Sequence, residues 1–73
     1  MDELKIQFGR NLKDIRKQRN LTQEQLAEAV GVSVEFISHI ERGINAPSFK
    51  TLENLSRKLD IPVWKLFKFE SSV

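Results

Sequence analysis

Gly31, Val32 and Ser33 are all that separate two short amphipathic segments, and no other feature of the sequence limits the fold as much. So short a link forces a sharp corner, and each helix must bury its apolar side against its neighbour and a shared core. The first segment opens at Thr22. Thr22-Gln23-Glu24-Gln25 has the spacing of a capping box, with Gln25 three positions after the cap. Leu26, Ala27 and Val30 give its buried side, and the small Ala27 allows two helices to approach closely. Gly31 stops it by taking the left-handed conformation. Ser33 caps the second segment, about Val34 to Arg42, which turns Ile37 and Ile40 inward. Val32 plugs the corner, and Gly43 ends this helix as Gly31 ended the one before.

The rest of the chain is punctuated in the same way. A first helix is predicted from about Asp2 to Arg19, with Leu4, Phe8, Leu12 and Ile15 on one stripe. Asp2 and Glu3 at its start and Arg16, Lys17 and Arg19 near its end suit the helix dipole, and Asn20 lets the chain turn. Asn45-Ala46-Pro47-Ser48 reads as a loop, with Ser48 capping a helix from Phe49 to Leu59. Leu52, Leu55, Ser56 and Leu59 form the inner side of that helix, and Asp60-Ile61-Pro62 ends it. A last short helix follows, about Val63 to Lys68. No stretch alternates with period two and β-branched residues do not cluster. The expected fold is all-α: a compact bundle of five short helices in one domain over residues 1–73.

Composition narrows the chemistry. At 73 residues the chain buries only about 60% of its unfolded surface, so helix packing carries the stability, helped by self-association. With no cysteine and one histidine, disulfides and a zinc site are excluded, and no metal or cofactor is expected. There is no nucleophile–base pattern, paired-carboxylate motif or phosphate-cradling glycine loop, so an enzyme is not expected. No apolar run nears the ~20 residues that span a bilayer, and the N-terminus lacks the marks of a signal peptide. The expected location is the cytoplasm, at the nucleoid. Net charge is only +2, but it is unevenly spread: +3 over residues 1–21, −3 over 22–42 and +2 over 43–73. The basic flanks could build a phosphate-binding surface; a solvated mixed surface is the alternative.

Successive residues of a helix turn by about 100°. With Ile37 and Ile40 facing in, Val34, Glu35, Ser38, His39 and Arg42 are expected to face away. A helix braced at a corner with such a face can lie in the DNA major groove and reach base edges with its first residues. Helix N-termini attract phosphate through free N–H groups and the dipole, and the starts at Thr22-Gln23 and Ser33 are placed for this.

The pattern LTQ..LA...GVS...IS.IERG over Leu21–Gly43, followed by Pro47 and a leucine-containing helix, resembles the Cro/phage-repressor type (XRE-like) helix-turn-helix family of DNA-binding transcriptional regulators. The resemblance covers roughly residues 8–67 and implies a lambda-repressor-like bundle whose second and third helices form the motif, about residues 22–43. It implies base contacts from Val34, Glu35, Ser38 and His39. It implies phosphate contacts from Gln23, Ser33, Arg42 and Asn45 and, more weakly, Lys50, in addition to Thr22. It also implies a buried pair of Arg16 with Glu41 that ties the first helix to the third. Many members carry glutamine or arginine where this chain has Val34 and Glu35. Glu35 would accept a hydrogen bond from cytosine N4, and Val34 would touch a thymine methyl. Phe36 is expected to pack inward.

The segment 61–70 is unusually apolar for a chain end. Trp64 and Phe67 are expected to pack under the fourth helix, and Trp64, Leu66, Phe67 and Phe69 to supply a two-fold homodimer interface. The partner is then double-stranded DNA with a palindromic operator, with no membrane. The length suggests a stand-alone repressor or controller. The alternative is an antitoxin-like protein-interaction module that also binds DNA, with a protein partner of unknown identity.

Overall fold

The computed structural model describes residues 3–69, and all five helices among them were expected from the sequence: α1 Glu3–Gln18, α2 Gln23–Val30, α3 Val34–Glu41, α4 Phe49–Leu59 and α5 Val63–Leu66. No strand occurs among the described residues. Asp2, assigned above to the first turn of α1, and residue 70 lie outside them. α3 packs between α1 and α2; α2 also packs on α4, and α5 bridges α4 and α1. The buried centre draws on every helix: Phe8 and Leu12, Leu26, Ala27 and Val30, Ile37 and Ile40, Leu52, Leu55 and Leu59, and Leu66.

The helix ends are local in origin. The Thr22 hydroxyl accepts from the Gln25 backbone N–H while the Thr22 N–H donates to the Gln25 side chain, which completes the capping box. Ser33 accepts from the Phe36 N–H and Ser48 from the Thr51 N–H. Each of α1 to α4 closes with the same bond, from the N–H beyond the cap back to a carbonyl five residues earlier: Leu21 to Arg16, Val32 to Ala27, Ile44 to His39 and Ile61 to Ser56. This closure needs a left-handed residue, supplied by Asn20, Gly31, Gly43 and Asp60 with φ of 58°, 85°, 77° and 57°. Asn and Asp tolerate that conformation better than other non-glycine residues.

Two expectations about the core need correction. Leu4 was placed on the inner stripe of α1 but is 57% exposed. Leu4 lies one turn before Phe8, where the buried residues of α1 begin. Leu66, assigned above to an interface, is wholly buried and is core.

Candidate nucleic-acid interface

The corner at Gly31–Ser33 sets α3 against α2, and a polar network fixes its far end. The Arg16 guanidinium grips the Glu41 carboxylate with both arms: Nε donates to Oε2 at 2.6 Å and Nη2 to Oε1 at 3.1 Å. Both side chains are buried. The Gln23 side-chain amide donates to the same Oε1 at 2.9 Å, and Arg16 Nη1 donates to the Leu21 carbonyl at 2.7 Å. One carboxylate at the end of α3 therefore ties together α1, the start of α2 and the turn between them. No buried side-chain nitrogen or oxygen among the described residues lacks a partner, as a buried ionic network requires.

α1 and α3 also meet backbone to backbone. A Cβ on Gly9 would lie 2.3 Å from the Ile40 carbonyl oxygen and 2.7 Å from that of Glu41. Only glycine lets the helices approach this closely. A glycine inside a helix costs about 1 kcal/mol relative to alanine, and that misfit with its surroundings was the available signal for the contact. Neither this approach nor the Gln23–Glu41 bond was read from the sequence.

The predicted base-reading residues divide. Glu35 is exposed, and Ser38 and His39 are half-buried along the same helix. Val34 was expected to face away, yet it is half-buried and packs against the core cluster. It stands three positions before Ile37 and so shares that residue's inward side. Phe36 also packs against the core. Around α3, Thr22, Ser33, Arg42 and Lys50 are exposed and Asn45 is half-buried. The hydroxyls of Thr22 and Ser33 accept as caps, so each still has its O–H to donate, beside the backbone N–H groups at those helix starts. No three His, Cys, Asp or Glu side chains among the described residues gather as metal ligands would.

The C-terminal segment is partly surface. Trp64 is 59% exposed, with the ammonium groups of Lys65 and Lys68 each 5.9 Å from its ring centre, and so does not lie under α4 as expected. Phe67 stacks on Phe8 of α1, with ring centroids 5.0 Å apart, and on Phe69 at 6.3 Å. The segment is held to α1 by Asn11, whose amide donates to the Lys65 and Leu66 carbonyls, and Arg19 caps α4 at the Leu59 carbonyl. Asn11 and Arg19 carried no sequence signal for these roles, since any polar side chain would fit the exposed pattern equally well.

Residues 12–63 match the family described as helix-turn-helix. The chain is 40% identical over 65 residues to the HTH-type transcriptional regulator YqaE of Bacillus subtilis, covering 89% of this chain and 56% of that protein. It thus spans about half the length of this curated relative. It is 37% identical over 68 residues to the control protein C.MunI of a Mycoplasma species, covering 92% of each. Among solved structures it resembles the restriction-modification controller protein C.AhdI of Aeromonas hydrophila, with a TM-score of 0.82 and 32% identity over 85% of this chain and 94% of that one.

Proposed function

This chain belongs to the helix-turn-helix family, and on that premise we propose that it is a sequence-specific double-stranded DNA-binding regulator of transcription, of repressor or controller type, with α3 in the major groove. The observation that carries the reading is the bracing of α3. The helix is capped by Ser33 at one end and held through Glu41 at the other, while Glu35, Ser38, His39 and Arg42 stay clear of the buried core. A rigid helix with a polar side is what base reading requires. Glu35, Ser38 and His39 read base edges, with the uncovered part of Val34 near a thymine methyl. The Gln23 N–H, the Thr22 hydroxyl and the start of α3 at Ser33 hold phosphate, together with Arg42, Asn45 and Lys50.

The regulator works as a homodimer on a palindromic operator. The exposed Trp64 and the half-covered Phe67 and Phe69 supply the apolar surface for that contact. Two copies then set their α3 helices about 34–36 Å apart, one turn of DNA. It acts in the cytoplasm without a cofactor and performs no catalysis; no helix among the described residues is long and apolar enough to cross a membrane. The related proteins are named as regulators and control proteins, and they lend no support to an antitoxin-like module.

Selection of bound duplexes from a random pool, at stated salt, tests this reading. The expected result is enrichment of two inverted half-sites one helical turn apart; a pool that stays random after repeated rounds contradicts it.

A further inference from the structure

We propose that α1 carries a second DNA-backbone contact, a basic stripe of Arg10, Lys13 and Lys17 that grips the phosphates flanking the groove entered by α3. The inference rests on the DNA-binding reading above and extends it to residues outside the helix-turn-helix corner.

Ile6, Arg10, Lys13 and Lys17 fall at helical spacings of four, three and four, so they share one side of α1. All four are exposed, and the side chains of Arg10, Lys13 and Lys17 make no hydrogen bond or ion pair among the described residues. The Ile6 end of the stripe lies against the turn that follows α3. A Cβ built on Gly43 would lie 2.9 Å from Ile6 Cγ1, and Arg42, next to Gly43, is exposed too. From that contact Arg10, Lys13 and Lys17 extend along α1, and neither they nor Arg42 has an ion pair with an acid among the described residues.

The distance suits a phosphate contact. Gly9 brings the α1 backbone onto the carbonyls of Ile40 and Glu41, which puts the two axes at the short end of the ~8–10 Å usual for packed helices. The major groove is about 12 Å wide, so its phosphate walls stand about 6 Å from a helix seated along it. A helix packed alongside the end of α3 then lies over one wall, within reach of arginine and lysine side chains. Over residues 1–21 the chain carries +3, complementary to that wall.

The salt dependence of binding to a mixed-sequence duplex tests the proposal. Such binding is set by phosphate neutralisation, and log K against log salt has a slope near −0.9 for each phosphate contact. The variant Arg10→Gln/Lys13→Gln/Lys17→Gln is expected to keep its helix content and melting temperature. Its slope should be shallower by about 2 to 3 for each protomer bound, with affinity lost evenly across sequences. A control variant, Arg57→Gln/Lys58→Gln at the far end of α4, should keep the wild-type slope. A triple variant with the wild-type slope overturns the inference, as does a control that loses as much per charge removed. If the wild type itself binds no duplex, the DNA-binding reading falls instead, so the two failures are distinct.

Discussion

Replacing Gly9 by alanine would put a methyl carbon 2.3 Å from the Ile40 carbonyl oxygen, well inside contact distance. Alanine returns about 1 kcal/mol of helix propensity, but the obstacle is backbone rather than a side chain that could swing aside. Overpacking of this kind costs about 1–3 kcal/mol or more, so it outweighs the gain. Gly9→Ala should lower the urea midpoint with the slope unchanged. Arg16→Ala strands the buried Glu41 carboxylate, which keeps only the Gln23 amide as a donor, and leaves the Leu21 carbonyl without its partner. Losses of about 3–5 kcal/mol are expected, a large part of the total stability of a small domain, so thermal melting should show an unfolded or loosened chain. Arg16→Met with Glu41→Leu should recover most of the loss, because no charge is then left buried. At this scale the sequence was legible where a residue's role is local, as at Thr22 and Ser33. It was not legible where the role depends on a partner far along the chain, as with Gly9 against Ile40 or Asn11 against Leu66.

The ends of the elements decide where α3 stands. Thr22→Ala and Ser33→Ala each remove an accepted backbone bond, at a cost of about 1 kcal/mol in thermal or denaturant unfolding. Asp60 holds a left-handed conformation that glycine takes without strain, so Asp60→Gly should raise stability by up to about 1 kcal/mol. A neutral or destabilising result would mean that the Asp60 side chain contributes more than the backbone geometry indicates. These signals are why the bounds of α2 and α4 could be read directly: caps and left-handed stops act within one helical turn. The inner side of α4 was legible for the same reason, since Leu52, Leu55 and Leu59 recur at the helical period and all are buried. Val34 belongs to the inward side of α3, against expectation. The inward side of a helix spans more than the two residues used to define it, and position 34 falls within it by its spacing from Ile37.

For the molecule as a whole, the C-terminal segment divides into core and surface, and substitutions can separate the two. Leu66→Ala empties a fully buried site and should cost about 2–5 kcal/mol in unfolding free energy. Trp64→Ser, at a largely exposed position, should leave the fold within about 0.5 kcal/mol of wild type. It should shift sedimentation equilibrium at micromolar concentration toward monomer, whereas an unchanged equilibrium would remove this surface from the dimer. The apolar content of the segment was plain in the sequence, but the partition was not. Which aromatic faces inward depends on α1, where Phe8 receives Phe67. The account as a whole depends on the polar side of α3 reading bases. Its most direct test is the affinity of the wild type, Glu35→Ala and His39→Ala for every single-base variant of the selected operator at one salt concentration. The account predicts that each substitution loses about 1–3 kcal/mol of discrimination at one base pair in each half-site and leaves the others unchanged. A uniform loss at all positions, or no loss at any, would contradict it.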